Sequence, residues 1–313
     1  MQVHSGLDKE FNIRNPVITT GSFDGVHIGH KTILNRLRRL AREVDGESVL
    51  ITFHPHPRKV LYPDTAGREL RLINSQSEKI KLLKTTKLDH LIIVNFTLEF
   101  SKMDPAAFIR NILVGKLGAR KVVVGFNHHF GHNREGDYEY LYELGKYFNF
   151  EVEEIPQQDI DNETVSSTKI RKALTEGRIQ RANAYLDHYY IVRGKIEKGD
   201  PELLSGGFPT MRMAVEEESK LIPPDGIYAV HLISGNTFYR GMLKIRRPGG
   251  DAGVPSTAVS LNMHLFEYDN NLAGQTGTLY FHKQIRDDSI FGNGYDLIGE
   301  LLEAREETEE LIY

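Results

Sequence analysis

From Pro16 to about Leu186 short apolar runs alternate with helical patterns, and no other feature narrows the possible folds as far. The runs cover residues 17–20, 49–53, 91–96, 121–126 and 150–155, and the helical patterns cover 31–42, 76–84, 105–117 and 138–148. The helical patterns repeat apolar residues every three or four positions. Strands separated by helices predict a parallel sheet with helices packed on it, an α/β fold of the Rossmann-like kind. After Tyr185-Leu186 the texture changes to short runs at 190–195, 226–233, 237–245, 256–265 and 277–281 between Gly/Pro turns. That pattern predicts an antiparallel β-barrel, closed by one helix. A chain of 313 residues is long enough for two domains. The change of texture divides them into residues 1–186 and 187–313.

Between the first run and the first helix the chain reads Gly21-Ser22-Phe23-Asp24-Gly25-Val26-His27-Ile28-Gly29-His30. A strand therefore leads through a glycine-bearing turn into a helix start, where backbone N–H groups and the helix dipole favour anions. Gly25 and Gly29 let a ligand approach the backbone. The imidazoles of His27 and His30 can donate to phosphate oxygens, although two ordinary turn histidines would read the same in isolation. Asp24 could be catalytic or simply cap the turn, and it reads better as a cap. Far downstream, Val165-Ser166-Ser167-Thr168-Lys169-Ile170-Arg171 forms a second loop-to-helix junction. One of Ser166, Ser167 or Thr168 can cap the helix, while the remaining hydroxyls, Lys169 and Arg171 can hold phosphate oxygens. All these segments follow the carboxyl ends of strands, where parallel α/β sheets bind ligands. Neither Gly-x-Gly-x-x-Gly nor a P-loop pattern occurs.

The two motifs resemble those of the prokaryotic riboflavin kinase/FAD synthetase family. Thr52-Phe53-His54-Pro55-His56-Pro57 and Gly125-Phe126-Asn127-His128-His129-Phe130-Gly131 are similar to that family's other loop segments. The resemblance is strong from residue 14 to about 190 and continues more weakly to the C-terminus. It implies that the first half moves AMP from ATP, as its magnesium complex, to FMN, giving FAD and pyrophosphate. In that scheme His27 and His30 contact the triphosphate within the Gly21, Phe23 and Gly25 turn, while Ser166, Ser167, Thr168 and Arg171 grip the leaving phosphates with Lys169 as helper. Asn127 would hold substrate or a metal-bound water, and Arg58 could hold the FMN phosphate or simply be a surface residue. No metal ligands are assigned, because the sequence shows no dedicated carboxylate cage.

The same family implies a barrel of riboflavin-kinase type for the second half, but this barrel departs from its pattern. In Gly207-Phe208-Pro209-Thr210-Met211-Arg212, Thr210 occupies the family's threonine position and Arg212 stands where asparagine is usual. In Leu261-Asn262-Met263-His264-Leu265, Asn262 stands at the position of the catalytic glutamate, and an amide cannot take a proton from riboflavin. Leu203-Leu204 replaces the usual Gly-Arg, and a terminal Gln-Ile-x-x-Asp is missing. The expectation is an FMN adenylyltransferase with an impaired or inactive kinase barrel. The alternatives are a fully bifunctional enzyme, a flavin-binding regulatory barrel fused to a nucleotidyltransferase, and a different nucleotidyltransferase using His-x-Gly-His.

Composition narrows the partners. The net charge is −4 and no basic stripe stands out, which argues against nucleic acid. Cysteine is absent, excluding disulfides and thiolate chemistry. The N-terminus lacks a signal-peptide core and the apolar runs are too short for a membrane span, so a cytoplasmic protein is expected. The C-terminal glutamates read as a solvated helix face, and residues 246–253 read as a mobile loop.

Overall fold

The computed structural model describes residues 1–126, 129–132, 135–156, 159–160, 163–199, 210–247, 259–267, 272–287 and 297–312. The chain divides into two compact units, the first comprising Met1–Leu70 and Lys79–Val165, the second Arg71–Glu78 and Ser166–Tyr313.

The first unit contains, in chain order, β1 (Gln2–Ser5), β2 (Val17–Thr20), α1 (Ile28–Glu43), β3 (Ser48–His54) and α2 (Pro57–Leu61). It continues with α3 (Gln76–Thr85, whose first three residues group with the second unit), β4 (His90–Asn95), α4 (Leu98–Ser101), α5 (Pro105–Phe108) and a π-helical stretch Ile109–Val114. It ends with β5 (Lys121–Gly125), α6 (Tyr138–Phe148), β6 (Glu151–Ile155) and the two-residue strands β7 (Asp159–Ile160) and β8 (Glu163–Thr164). Six strands form one wholly parallel sheet in the order β1-β4-β3-β2-β5-β6. Alternate residues enter opposite cores. Ile18, Ile51, Ile92 and Val122 pack with Phe108, Ile112 and Leu141, while Val17, Leu50, Leu91 and Val123 pack with Leu34, Leu37 and Leu83. Burial on both faces explains why these strands read as continuous apolar runs rather than alternating ones.

The order reverses between β2 and β5. The chain winds outward from β2 through β3 to β4, then returns to the other side of β2 for β5 and β6. The β2–β5 ladder pairs only Val17 with Lys121 and Ile18 with Val122. The carboxyl ends of these two strands are therefore not paired with each other, and this is where open α/β sheets accept ligands.

The second unit carries α7 (Ser167–Thr175), α8 (Ile179–Leu186) and a closed six-stranded barrel. Its strands are β9 (Tyr190–Lys198), β10 (Met211–Val215), β11 (Gly226–Ser234), β12 (Thr237–Arg246), β13 (Ser260–Leu265) and β14 (Thr276–Asp287). They close in the order β10-β13-β12-β11-β14-β9, every pair antiparallel. Helix α9 (Leu297–Leu311) packs Leu301 and Ala304 on Ile227 and Met242. The segment Arg71–Glu78 is tied into this unit by a parallel bridge from Leu72 to Lys220 and by a fully buried ion pair, Glu78 Oε2 to Lys220 Nζ at 2.7 Å.

The parallel sheet and the antiparallel barrel are those expected, with local differences. β1 and β10 were not predicted as strands, and the single helix expected over 105–117 is a short α-helix continued by a π-helical stretch. Arg247, at the start of the expected mobile loop, is held by Asp225 and by the carbonyls of Ile222 and Pro223 at 3.0 Å. Residues 248–253 lie outside the described residues. Three of the C-terminal glutamates are paired rather than merely solvated: Glu309 binds Arg305 at 2.8 Å, Glu303 lies 3.7 Å from the Arg286 guanidinium, and Glu307 binds that guanidinium at 2.5 Å. That contact holds the Glu307 carboxyl below its ordinary range. Among the described residues no helix is long and apolar enough to cross a membrane.

Candidate active site

The turn after β2 is strained and pinned. Gly25 has φ +96°, Phe23 +48° and Val26 +44°. A β-branched residue such as Val26 in the left-handed region is an outlier, and strain of this kind costs about 1–3 kcal/mol and persists only where the surroundings enforce it. Here the carbonyl of Ser22 accepts two hydrogen bonds, from Lys79 Nζ at 2.8 Å and from Thr52 Oγ1 at 3.1 Å. Phe23, Asp24, Val26 and His27 are all buried.

Helix α1 starts at this turn with His27 as its N-cap, its Nδ1 accepting the backbone N–H of His30 at 3.4 Å. An Nδ1 that accepts carries no proton, so the proton of His27 sits on Nε2, the donor form that a phosphate oxygen needs. The rings of His27 and His30 stack with centroids 3.6 Å apart, and Phe23 stacks on His30 at 4.5 Å. A Cβ at Gly29 would stand 3.2 Å from the His27 ring, so glycine there leaves the imidazole in place. Burial, then the neighbouring His27 and Lys79, push the His30 imidazole well below its ordinary pKa. It is therefore neutral at pH 7, and its Nδ1 is buried without a hydrogen-bond partner. A buried polar atom without a partner is costly unless a ligand satisfies it. Two stacked imidazoles at a helix N-terminus, beside a buried lysine, can hold and stabilise phosphate oxygens.

Opposite this turn at the switch point, β5 ends at Gly125, where a Cβ would stand 3.0 Å from Ile33 of α1. Asn127, the next candidate, lies outside the described residues. Arg58 is exposed on α2, its backbone N–H donating to Nδ1 of the N-cap His56 at 3.2 Å.

In the second unit, Ser166 is the N-cap of α7, its Oγ accepting the Lys169 N–H at 3.3 Å. One of the three hydroxyls thus has the capping role. Ser167, Thr168 and Lys169 occupy the first turn of α7, and Arg171 donates from Nε to the Arg71 carbonyl at 2.9 Å.

The barrel brings the other candidates together. A cavity where α9 meets the barrel is lined by Thr210, Lys244, Asn262 and His264, with Met242 and Leu301. Arg212 and Asn262 are direct cross-strand partners, Lys244 is the partner of Asn262 on its other side, and Glu197 is the partner of Arg212. Partners across a ladder share a face, so Glu197, Arg212, Asn262 and Lys244 form one row across four strands. Arg212 pairs with Glu197 at 2.6 Å, and Asn262 Nδ2 donates to Ser260 Oγ at 3.1 Å. Gly207, Phe208 and Pro209 lie outside the described residues.

Sequence reasoning missed Lys79 and Glu197, and gave Thr52 no role beyond its place in a family segment. Lys79 sits in an amphipathic helix where a lysine reads as solvent-facing, and only the sheet topology carries it beneath the turn. Among the described residues no group of three or more His, Asp or Glu is arranged to hold a metal.

Fold and turn together define an α/β nucleotide-binding type of unit with an anion-receptive helix start at its switch point, joined to a closed antiparallel barrel. The FAD synthetase family profile matches residues 9–169 and the riboflavin kinase profile matches residues 186–312. A bifunctional riboflavin kinase/FMN adenylyltransferase of Listeria monocytogenes is 29% identical over 97% of this chain and 95% of its own. The protein of the same name from Buchnera aphidicola subsp. Schizaphis graminum is 30% identical over 89% of this chain and 88% of its own. The chain belongs to the bifunctional riboflavin kinase/FMN adenylyltransferase family. The same fold recurs in a crystal structure titled as a macrolide-efflux protein from Streptococcus pneumoniae, with TM-score 0.85, 24% identity, and coverage of 98% of this chain and 97% of that one. That likeness concerns the fold alone. Matches along both halves favour the fully bifunctional alternative over the expected adenylyltransferase with an idle barrel.

Proposed function

We propose that the chain is a bifunctional enzyme in which residues 1–186 transfer AMP from MgATP to FMN and residues 187–313 phosphorylate riboflavin. The observation that carries the first activity is the stacked imidazoles of His27 and His30 at the start of α1, with a buried nitrogen of His30 that no protein group satisfies. An FMN phosphate oxygen attacks the α-phosphorus in line, the bond to the bridging oxygen breaks, and pyrophosphate leaves. No covalent enzyme intermediate is needed, and the protein's contribution is positioning and charge stabilisation. His27 Nε2–H and the His30 ring donate to triphosphate oxygens. Ser167, Thr168, Lys169 and Arg171 hold the leaving phosphates, Ser166 orders that helix start, and Gly21, Phe23 and Gly25 shape the turn. Asn127 and Arg58 are assigned to the flavin phosphate side, and Thr210 to the barrel's phosphate side. Magnesium enters as part of the ATP complex, and no residue here is assigned to it.

A second reading, a slow kinase half, is favoured by one observation. Asn262 lines the barrel cavity between two cationic cross-strand partners, Arg212 and Lys244, while the carboxylate of the same row, Glu197, is engaged by Arg212. Incubating the protein with MgATP and either riboflavin or FMN, then separating flavins by chromatography, distinguishes the readings. The bifunctional enzyme makes FMN and FAD from riboflavin. The slow-kinase protein makes FAD from FMN and leaves riboflavin largely unchanged.

A further inference from the structure

Lys79 is almost fully buried, 6% exposed, yet it is not among the residues the motifs single out. Its ammonium reaches across 57 positions of sequence to the Ser22 carbonyl at 2.8 Å, where Thr52 Oγ1 supplies the second donor. That carbonyl opens the turn in which Phe23, Gly25 and Val26 all hold positive φ. A backbone in so unfavourable a shape relaxes unless something outside it fixes the conformation. We propose that Lys79 is a positioning residue of the adenylyl-transfer turn, docking on Ser22 so that the turn keeps the shape that stacks His30 on His27. The proposal rests on the adenylyltransferase reading of that turn.

The hydrogen bond alone does not require a lysine, because any neutral donor of that length would serve. The ammonium also brings a positive charge to the turn. The charge lies within influence of His30: His27 from the same turn and Lys79 from α3 are the titratable groups that act on this ring, and both disfavour its protonation. A fixed positive charge beside a neutral imidazole offers phosphate oxygens a favourable potential, while the imidazole keeps the proton arrangement needed to donate.

The test uses the full chain with Lys79→Met, which removes donor and charge, and Lys79→Gln, which keeps a donor. Two readouts are taken, the kcat and KM for MgATP in FAD formation, and the NMR titration of the His30 ring. Lys79→Met is expected to lower kcat by roughly 10- to 100-fold, the scale on which misplaced reacting groups act, with KM changed less than about threefold. Its His30 midpoint moves upward. Lys79→Gln recovers part of kcat while the His30 midpoint stays raised. Folded variants with unchanged kcat and an unmoved His30 midpoint overturn the proposal. If Lys79→Met fails to fold, Lys79→Gln decides by the same two readouts. If the unmodified protein forms no FAD, the adenylyltransferase reading fails by itself, and the His30 midpoints still decide whether Lys79 governs the turn.

Discussion

The Nδ1 of His27 accepts the backbone N–H of His30 at 3.4 Å while the two rings stack 3.6 Å apart, so one histidine both starts helix α1 and orients its partner. The two residues should therefore fail differently. His30→Ala is expected to lower FAD formation by about 10²–10³, the usual cost of one charge-stabilising donor, with little change in unfolding free energy. His27→Ala should show a similar loss of turnover and an additional loss of about 1 kcal/mol of stability, because the N-cap disappears. His27→Asn should restore the stability and not the turnover. Steady-state rates and denaturant unfolding of the three variants check this; wild-type turnover in His30→Ala would place the triphosphate elsewhere.

Glu78 and Lys220 are both fully inaccessible and mutually saturated. Lys220 Nζ also donates to the carbonyls of Ile73 and Ile191, and Glu78 accepts the backbone N–H groups of Arg193 at 2.7 Å and Ser75 at 2.9 Å. Removing one partner of such a pair leaves an uncompensated buried charge, which costs about 3–5 kcal/mol. Lys220→Met and Glu78→Leu are each expected to lose that much in denaturant unfolding. The double substitution should cost less than the sum of the two, and additive losses would show that the charges are not coupled.

Much of this was legible in the sequence because burial on both faces writes itself as apolar runs, as in Val49, Leu50 and Ile51, and because Ser166 and the Gly21 to His30 turn sit at strand-to-helix junctions with recognisable chemistry. Other parts carried no local signal. β1 is mostly exposed, so its four residues show no apolar period. β10 follows a loop motif that reads as irregular, although Met211 and Met213 face the barrel interior. The π-helical stretch Ile109–Val114 has the same apolar pattern as an α-helix. The ion pair of Glu78 with Lys220 spans 142 positions and no sequence period announces it.

A pH response is built into the barrel. His231 Nδ1 and His282 Nε2 lie 2.7 Å apart, and the His231 ring stacks on Tyr280 at 4.5 Å. Burial, then the adjacent His282, pushes His231 down to about 4. The unfolded chain takes up a proton near pH 6.5, which the folded chain refuses until about pH 4, so the stabilisation is complete above pH 6.5 and is lost progressively as pH falls towards 4. At about 1.4 kcal/mol per pH unit, His231 contributes up to roughly 3 kcal/mol of that loss. Unfolding free energies measured between pH 7 and pH 4 should slope accordingly, and His231→Gln should flatten the slope. An equal slope in that variant would assign the acid sensitivity to other groups.

In the barrel, Arg212→Asn is expected to release Glu197 from its ion pair, and Asn262→Glu to supply a carboxylate at the cavity. A positioned general base contributes about 10²–10⁴ in rate. If the kinase half is slow, Asn262→Glu alone should gain little and the double variant at least about tenfold in riboflavin phosphorylation. If the unmodified barrel already phosphorylates riboflavin efficiently, neither change should improve it, and Asn262→Glu should leave the rate unchanged or lower it.

Adenylyl transfer at the His27–His30 turn is tested most directly by following FMN and MgATP with the purified full chain, measuring FAD and pyrophosphate together. One pyrophosphate should appear for each FAD, and both should fall in parallel in His30→Ala. Folded protein that yields neither product at any magnesium concentration, or that releases pyrophosphate without FAD, would contradict it.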